Sequence, residues 1–595
     1  MRSQSAWVLA ACFLAILPRS APAQSTVRAC VDSSGAQSNG ESGNYGAAIS
    51  ADGRFLAYAS VATNLVPGDT NALRDIFVFD RLTRTTERVS VASSGVQSNG
   101  TCTHPALSAD GRFVAFDSQA TNLVAGGAGG NLRWNVYVHD RVAGTTELVS
   151  VDSAGVEGIQ SSDYAALSAD GRFVAFMSLA SNLVAGDTNF VDDVFVHDRQ
   201  TGITERVSVD SSGIQGDLPS QVPSISADGM RVAFQSAATN FVGGVSSMNV
   251  FMHDRTSGST VLVSQAAGGV PGNAQSSAPS LSANGRFVAF WSIASNLDPS
   301  DTNTSPDVFV HDLQSGTMER VSLSSAGAQA NAGSLGPAIS GDGRFVCFLS
   351  YASNLVPNDT NGFEDIFVRD RFQAITERVS VDSGGVQSTD NSWVDMRSIS
   401  ADGRFVAFYS DATNLVQSDS NNTRDVFLRD RSSISSFCFG DGSAQACPCS
   451  NSGLAGRGCD NSASTGGAVL GSSGASALAG DTLVLTAAGE LQSAPSIFLQ
   501  GDASIPAANF GDGLRCVGGN LKRLYLHPAS GGSVSAPLAG DAPVSVRSAA
   551  LGDAFAAGAT RFYQVYSRDP VQGFCPNPPG NSWNISSGIA VVWGP

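Results

Sequence analysis

The sequence predicts an all-β fold: a seven-bladed β-propeller closed by an N-terminal strand, followed by a C-terminal, disulfide-braced domain resembling a β-sandwich. Three observations lead to this prediction. The chain contains seven repeats, and a complete repeat carries four short strand patterns, which is the content of one propeller blade. The seventh repeat lacks its last strand, and a matching segment stands near the N-terminus. Cysteines cluster after the last repeat, where the repeats stop and a different β-rich segment begins.

The repeats are anchored by a Ser-Ala-Asp-Gly-Arg-Phe sequence that begins at Ser50. Related sequences begin at Ser108, Ser168, Ser226, Ser282, Ser340 and Ser400. The strand before each anchor is small and apolar, which suits the crowded innermost position around a channel. The Asp-Gly pair predicts a tight type I′ hairpin. The next strand, residues 172–176 in the third repeat, is apolar without alternation, as expected where a sheet is covered on both faces.

The third and fourth strands of a repeat are illustrated by residues 193–199 and 204–209. In the seventh repeat, residues 425–431 supply a third strand, but no fourth strand follows. Residues 26–35 match the missing fourth strand and its turn. Pairing these residues with the last repeat completes seven four-stranded sheets and leaves no open edge in the ring.

The Ser-x-Asp-Gly anchor, followed by a strand that ends near an Asp-Arg pair such as Asp80-Arg81, resembles the TolB-like bacterial propellers. The resemblance extends over residues 24–432 and implies the propeller fold. Propellers of this family include periplasmic scaffolds, sugar-acid lyases and domains attached to peptidases, so the resemblance implies no single function. The repeats here are longer than is usual for the family.

The chain divides into four predicted parts. Residues 1–23 have the pattern of an export signal, with Arg2, an apolar run over residues 8–17 and Ala21-Pro22-Ala23 before the cleavage point. The propeller follows over residues 24–432, a linker over 433–437 and a cysteine-containing β-rich domain over 438–595. The expected location is secreted, periplasmic or on the cell surface. No apolar run is long enough to span a membrane.

The C-terminal domain holds six of the ten cysteines. In an exported protein, an even set predicts disulfides, with 15 possible pairings. Zinc is the alternative because Cys447-Pro448-Cys449 offers two thiolates, but the spacing matches no common zinc pattern. The domain resembles an uncharacterised C-terminal module of secreted bacterial proteins, which implies no activity. The disulfide candidates are Cys438, Cys447, Cys449, Cys459, Cys516 and Cys575.

Charge excludes one class of partner. The net charge is −18 with a pI near 4.6, and the acidic residues are dispersed along the chain. Nucleic-acid binding needs a basic surface, so nucleic acid is not expected as a partner. We expect a monomer that binds a protein or glycan ligand.

Antiparallel strand order predicts that all the long connections lie at one end of the ring, which we call the long-loop face. These are the links from second to third strand and from fourth strand to the next first strand. Because binding sites are usually built on long loops, we expect the site there. The second-to-third links also carry a recurring acidic pattern. Oxygen ligands suit Ca²⁺, whereas turn capping by Asp and Asn is the alternative. The calcium candidates are Asp69, Asn71, Asp75, Asp187, Asn189, Asp193, Asp301, Asn303, Asp307, Asp359, Asn361, Asp365, Asp419, Asn421 and Asp425.

Catalytic residues are not assigned. One repeat position holds a histidine before an aspartate in four repeats, at His139, His197, His253 and His311. A general base has no reason to recur around a ring, so these residues are interpreted as structural. No serine elbow, phosphate loop or His-Glu-x-x-His motif is present. The Asp-Arg pairs are predicted to form strand-end ion pairs.

Two functions follow as hypotheses. The first is an exported, non-catalytic binding or scaffold protein that holds a protein or glycan on the long-loop face. The alternative is a polysaccharide-active enzyme, a lyase or glycoside hydrolase, with its site in the central pocket of the propeller and carboxylates as catalytic groups. No cofactor is expected apart from the candidate calcium.

Overall fold

The computed structural model describes residues 24–126, 133–431, 434–438, 447, 451–454, 457–473, 476, 478, 481–510, 513–556, 559–569 and 583–593. The predicted export signal lies outside these residues. Two compact units are present, one over residues 25–431 and one that begins at residue 432. The described residues form 41 strands and a single seven-residue helix, so the all-β prediction is confirmed. No helix among them is long and apolar enough to cross a membrane.

Seven four-stranded antiparallel sheets make up the first unit. Sheet 7 combines the first strand of the unit, β1 (Ser25–Arg28), with three late strands described below. In sheets 1 to 3, the strands follow chain order. Sheet 1 consists of β2 (Ser42–Ile49), β3 (Phe55–Ser60), β4 (Asp75–Asp80) and β5 (Thr85–Arg88), and sheet 2 of β6 (Cys102–Leu107), β7 (Phe113–Ser118), β8 (Asn135–Asp140) and β9 (Thr145–Leu148). Sheet 3 consists of β10 (Ser162–Leu167), β11 (Phe173–Ser178), β12 (Asp193–Asp198) and β13 (Ile203–Arg206).

Sheets 4 to 6 repeat this order, and a two-stranded ribbon of β18 (Gln265–Ala266) and β19 (Val270–Pro271) lies between sheets 4 and 5 in the chain. Sheet 4 consists of β14 (Ser220–Ile225), β15 (Arg231–Ser236), β16 (Asn249–Asp254) and β17 (Ser259–Leu262), and sheet 5 of β20 (Ser276–Leu281), β21 (Phe287–Ser292), β22 (Asp307–Asp312) and β23 (Thr317–Arg320). Sheet 6 consists of β24 (Ser334–Ile339), β25 (Phe345–Ser350), β26 (Asp365–Asp370) and β27 (Ile375–Arg378). The three late strands of sheet 7 are β28 (Ser392–Trp393), β29 (Phe405–Ser410) and β30 (Asp425–Asp430).

The N-terminal strand completes sheet 7, as the sequence predicts. Strand β1 pairs with β30 in antiparallel register, with Val27 opposite Leu428. This is the register that Glu87 of β5 has opposite Val78 of β4. The first strand of the unit therefore occupies the outermost position of its last sheet.

Backbone hydrogen bonds between the Asp-Gly turns connect neighbouring sheets around the whole ring. The N–H of Ala51 donates to the carbonyl oxygen of Ala109 at 2.9 Å, and the N–H of Ala401 donates to the carbonyl oxygen of Ala51 at 3.0 Å. The same bond joins each intervening pair of turns through Ala169, Ala227, Ala283 and Gly341. The seven sheets thus form a closed ring in the described residues.

The Asp-Gly turn differs from the predicted type I′ hairpin. Gly53 has a φ of +70°, but Asp52 does not have positive φ. The N–H of Gly53 donates to the carbonyl oxygen of Ser50, so a β-turn precedes a glycine in the left-handed region. Packing imposes a second demand on this glycine, because a Cβ at Gly53 would lie 2.0 Å from the ring of Phe405 in sheet 7. A Cβ at the equivalent Gly111 would lie 2.3 Å from the ring of Phe55 in the preceding sheet.

The second unit contains two packed sheets, in agreement with the predicted sandwich. The larger consists of β31 (Ile434–Phe437), β41 (Gly588–Val592), β39 (Thr560–Arg568), β34 (Pro495–Gly501) and β37 (Lys522–Pro528), with β40 (Trp583–Ile585) paired to β39. The smaller consists of β32 (Val469–Ser473), β33 (Val484–Ala488) and β38 (Ser533–Ala536), and a separate ribbon of β35 (Ala503–Phe510) and β36 (Gly513–Gly518). Helix α1 spans Val544–Ala550. Residues 434–437, predicted as a linker, form the edge strand β31.

Among the described residues of this unit, two disulfides are present, Cys438–Cys516 and Cys447–Cys459. Cys449 and Cys575 lie outside the described residues. Side chains from both sheets form one core, which includes Leu485, Phe498 and the fully buried Trp593. The indole N–H of Trp593 donates to the hydroxyl of Tyr563 at 3.2 Å.

Closure by β1 predicts the effect of a truncation. A mature chain that begins at Gln37 lacks β1 and exposes the edge of β30, so its melting temperature should fall by several degrees and it should tend to associate. A chain that begins at Gln24 is the matched control and should retain the full melting temperature. Equal melting temperatures and a monomeric Gln37 chain would show that β1 does not close the ring.

Candidate functional site

The long links are largely committed to holding the ring together. In the link from β3 to β4, the side-chain amide of Asn64 donates to the carbonyl oxygen of Gln37 at 2.8 Å and accepts from the N–H of Asn39 at 2.9 Å. The link therefore clasps the segment that leads into β2. The same clasp is made by Asn122, Asn182, Asn240, Asn296, Asn354 and Asn414.

The links from fourth strand to next first strand also contact the neighbouring sheet. Thr86 of β5 donates its hydroxyl to the carbonyl oxygen of Val31, and its N–H to the hydroxyl of Ser33 at 3.1 Å. Related bonds connect Thr146 to Val91 and Thr204 to Val151. Much of the extra length of the repeats is thus structural, and a ligand site has to be sought elsewhere on the long-loop face.

The calcium candidates surround an arginine in five sheets. In sheet 3, a guanidinium nitrogen of Arg206 lies 3.4 Å from carboxylate oxygens of both Asp187 and Asp193. The amide nitrogen of Asn189, rather than its oxygen, faces Asp193 at 2.9 Å. Corresponding arginines stand between Asp69 and Asp75, Asp301 and Asp307, Asp359 and Asp365, and Asp419 and Asp425; they are Arg88, Arg320, Arg378 and Arg28.

The asparagines of this pattern also bond to protein. Asn71, Asn361 and Asn421 donate to the neighbouring aspartates Asp75, Asp365 and Asp425, and Asn303 donates to the carbonyl oxygen of Ala330. Burial raises the pKa of Asp187 and Asp193, and the charge of Arg206 opposes that rise. The described residues contain no cluster of three or more His, Cys, Asp or Glu side chains arranged to hold a metal ion.

These charged groups are present or absent together. Sheets 2 and 4 have Leu148 and Leu262 at the position of the arginine, and Asn135 and Asn249 at the position of the strand aspartate. Ser264 donates to Asn249 at 2.8 Å, as Ser208 donates to Asp193. Because removing one partner of a buried pair leaves an uncompensated charge, joint replacement is what a structural ion pair requires.

The repeated histidines are buried within the ring. His197 bonds through Nδ1 to the hydroxyl of Thr204 at 2.9 Å. His139 and His253 make the same contact with Thr146 and Thr260, and Nδ1 of His311 lies 2.7 Å from the carbonyl oxygen of Val263. Burial lowers the pKa of all four, so the neutral form is favoured.

The two residues of each Asp-Arg pair bond to different partners at the end of the strand. Asp80 accepts from Arg54 of its own sheet at 2.7 Å, whereas the next residue, Arg81, donates to the carbonyl oxygen of Gly53. In other sheets the second residue of the pair reaches the preceding sheet, as Arg141 does to Glu87. Each Asp-Arg pair therefore joins two different sets of partners because adjacent strand residues point in opposite directions.

A cavity of about 210 Å³ opens at the channel mouth, on the long-loop face. Strands β6, β7 and β10 supply part of its lining, and the ends of the links before β4 and β8 supply Arg74 and Trp134. The residues that line it are Tyr45, Arg74, Thr101, Thr103, His104, Asp117, Trp134 and Asp163. The guanidinium of Arg74 lies 4.6 Å from the ring centre of Tyr45. We call this space the mouth cavity.

Asp117 is the buried acid of the mouth cavity. Its side chain is fully buried, and its Oδ2 lies 2.7 Å from Nδ1 of His104 and accepts from the N–H of Tyr164 at 3.1 Å. Its other oxygen, Oδ1, has no hydrogen-bond partner among the described residues. An unpaired buried acceptor costs about 1 to 3 kcal/mol, so a donor from a bound molecule would be favoured there.

Burial alone would lower the pKa of His104, but the hydrogen bond and charge of Asp117 outweigh it and raise the pKa overall. The His104 ring stacks on Tyr164 with ring centres 4.1 Å apart. Burial, and next the charge of Asp117, raise the pKa of Asp163 to about 7. The cavity therefore combines the hydrogen-bonded Asp117–His104 pair, an acid that titrates near neutral pH, and aromatic walls.

The two stacked residues share an unusual backbone conformation. His104 and Tyr164 have positive φ, at +46° and +54°, within a β-bulge of the innermost strand. The same bulge places Val222 and Ala278 at corresponding positions of sheets 4 and 5. The conformation thus belongs to the repeat, whereas the His and Tyr side chains are particular to the cavity.

Sheet 7 contributes a turn that reaches into the channel. The carbonyl oxygen of Met396 accepts from the hydroxyl of Ser280 in sheet 5 at 3.1 Å, and that of Arg397 accepts from the N–H of Ile49 in sheet 1 at 3.2 Å. Both residues line a channel segment of about 160 Å³ that contacts all seven sheets. Asp395 and Arg397 act on His104 with opposite charges.

Sequence reasoning did not identify the residues of the mouth cavity. His104 occurs outside the four repeated histidines, and Asp117 occupies a position that is Met177 or Gln235 in later repeats. One signal was available in the sequence: polar residues replace the small apolar pattern of the innermost strand near Asp395.

No family model and no curated protein matches the chain. Solved structures similar to it include TolB from Acinetobacter baumannii, 18% identical, with a TM-score of 0.31 over 51% of this chain and 58% of that protein. Others are hydrazine synthase of Kuenenia stuttgartiensis, 14% identical, TM-score 0.32, covering 64% of this chain and 94% of that one, and the β-propeller domain of the Trilobed protease from Pyrococcus furiosus, 9% identical, TM-score 0.39, covering 64% and 93%.

This chain thus matches little more than half the length of the Acinetobacter protein. TolB and other β-propeller domains are the neighbours that the TolB-like repeats lead one to expect. The propeller itself is established by the sheet order and the ring of hydrogen bonds described above.

The arginine-centred acidic clusters predict a specific mutational pattern. Arg206→Leu should lower the free energy of unfolding by about 3 to 5 kcal/mol because two buried carboxylates lose their counter-charge. Combining Arg206→Leu with Asp193→Asn, the pairing found in sheet 4, should recover part of that loss in urea denaturation.

We expect excess EDTA to leave the melting temperature of the unmodified protein unchanged. A fall on chelation, reversed by calcium, would favour the calcium hypothesis.

Asp163 predicts a pH-dependent stability difference. Its pKa is about 7 in the folded protein against 3.8 ordinarily, so its contribution to stability is lost as pH rises from about 4 to 7. Asp163→Asn should therefore match the unmodified protein at pH 4 and exceed it in free energy of unfolding at pH 8. Urea denaturation at both pH values measures this. An equal difference at the two pH values would contradict the assigned shift.

Proposed function

We propose that this protein is an exported binding protein that holds one sugar ring of a glycan in the mouth cavity. The observation that carries the proposal is the buried, unpartnered Oδ1 of Asp117 in a cavity with aromatic walls. Sugars present hydroxyl donors along their edges and apolar C–H groups on their faces. Carboxylate oxygens accept from the first, and rings such as Trp134 pack against the second.

Size supports a single ring as the bound unit. A volume of about 210 Å³ is below the usual range of about 300 to 1,000 Å³ for drug-sized ligands, so an entire oligosaccharide does not fit. The rest of a glycan would extend from the mouth cavity over the long-loop face. Export is supported by the two disulfides, since disulfides persist in oxidising compartments, the periplasm or the exterior.

A second candidate function is polysaccharide cleavage, and one observation favours it. The pKa of Asp163 is about 7, and a second carboxyl group, Asp117, lies close enough to raise it. A glycoside hydrolase uses two carboxyl groups, one as acid and the other as base or nucleophile. Asp163 would donate a proton to the leaving oxygen in that reaction, and Asp117 would act on the opposite side of the sugar.

Glycan-array binding by the mature chain, followed by calorimetry on the glycans retained, tests the binding proposal. Asp117→Asn keeps an acceptor for the N–H of Tyr164 but removes the charge, and should weaken binding by about tenfold or more. Trp134→Ala should also weaken it. Gln235→Ala is the matched control because Gln235 occupies the same repeat position in sheet 4, accepts from the N–H of Ala278 and does not line the cavity.

Absence of binding to any glycan, or equal binding by the Asp117→Asn variant and the unmodified protein, would contradict the proposal. A reducing-sugar assay on the bound glycans separates the two candidates. New reducing ends that vanish in Asp163→Asn would establish cleavage in place of simple binding.

A further inference from the structure

Five junctions between neighbouring sheets share one arrangement of three side chains. In the junction of sheets 3 and 4, Nε of Arg255 lies 2.5 Å from a carboxylate oxygen of Glu205, and its guanidinium lies 4.5 Å from the ring centre of Phe173. The Arg comes from the third strand of one sheet, and the Glu and Phe come from the preceding sheet. The other four arginines are Arg141, Arg199, Arg371 and Arg431.

The junction of sheets 4 and 5 has lost all three groups. Leu313 replaces the arginine, Val261 replaces the glutamate and Arg231 replaces the phenylalanine. At the six junctions between sheets that follow one another in the chain, the glutamate and the arginine are therefore either both present or both replaced. This agrees with the cost of leaving one charge of a pair without the other.

The closing junction, between sheets 7 and 1, departs from both patterns. Arg81 is retained, with its guanidinium 4.4 Å from the ring centre of Phe405 and its Nε donating to the carbonyl oxygen of Gly53 at 3.1 Å. At the register position of the glutamate, however, β1 supplies Val27. None of the described carboxylates forms an ion pair with Arg81. Burial, and next the nearby charge of Arg404, lower the pKa of Arg81.

The closing junction, which lacks the glutamate carboxylate, contains a cavity. A cavity of about 560 Å³ lies at this junction, and Val27, Arg81 and Arg84 are among the residues that line it. Asp430 is the acidic residue of the lining, and it is already paired with Arg404 at 2.8 Å. The hydroxyls of Ser33 and Ser34 and the apolar Phe79 and Leu428 complete a mixed surface. The cavity is much larger than one glutamate side chain.

We propose that this closing-junction cavity binds a peptide segment of a partner protein, with a glutamate side chain of that segment seated against Arg81. In the five complete junctions, a glutamate carboxylate occupies the same place beside the arginine and the phenylalanine ring. The second cation, Arg84, and the hydroxyl groups favour further polar contacts along the segment. This site is separate from the mouth cavity and does not depend on glycan binding.

Fluorescence anisotropy with a labelled hexaglutamate peptide tests the proposal, with hexaglutamine as the uncharged probe. The mature protein should bind hexaglutamate and not hexaglutamine. Val27→Glu fills the place of the ligand carboxylate from within the chain, so it should weaken binding by about tenfold or more and raise the melting temperature. Val27→Gln should do neither.

Arg81→Gln should also weaken hexaglutamate binding by about tenfold or more. Arg199→Gln is the matched control because Arg199 already has Glu147 as its partner. That variant should bind like the unmodified protein. Equal binding by the Val27→Glu variant and the unmodified protein would overturn the proposal, as would equal loss in both arginine variants. Binding of oligogalacturonate without binding of hexaglutamate would assign the cavity to an acidic glycan and overturn the peptide proposal.

Discussion

Pairing of β1 with β30 is the interaction on which the rest of the propeller depends. Each sheet has apolar side chains on both faces, and these stay dry only when a neighbour lies on each side. A ring meets this condition for every sheet only if its ends join. The N-terminal strand makes that join by backbone pairing with β30, and Arg28 brings to Asp419 and Asp425 the charge that local arginines supply elsewhere.

The long connections make many of the bonds that join neighbouring sheets. Neighbouring sheets are joined near the channel by the bonds between the Asp-Gly turns, and further out by the Asn64-type clasps and the arginine contacts. A ligand site is therefore expected at positions where the side chains differ between repeats while these bonds between sheets are retained. The mouth cavity is one such place, since its His104 and Tyr164 occupy a bulge that holds Val222 or Ala278 elsewhere.

The fold could be predicted from the sequence because the chain repeats. Six Asp-Gly anchors, the equivalent Asn284-Gly285 and the unmatched strand at residues 26–35 were sufficient to predict the sheets and their closure. The turn type was missed because Gly53 responds both to its own φ and to the ring of a neighbouring sheet, which no local pattern records. The candidate sites were harder to predict, because their residues meet only in the folded sheets. The spacing of Asp187 and Asp193 predicts calcium ligands, but it does not record that Arg206 lies between them, which follows from strand pairing. The contact of Asp117 with His104 likewise follows only from strand pairing.

Amide hydrogen exchange of the mature protein tests closure most directly. If β1 is the outer strand of sheet 7, the amide of Ala29, which donates to the carbonyl oxygen of Val426 at 2.8 Å, should exchange as slowly as that of Val89, its counterpart in sheet 1. Residues 425–430 should be protected to the same degree as residues 75–80. Rapid exchange at Ala29 with strong protection at Val89 would contradict a ring closed by the N-terminal strand.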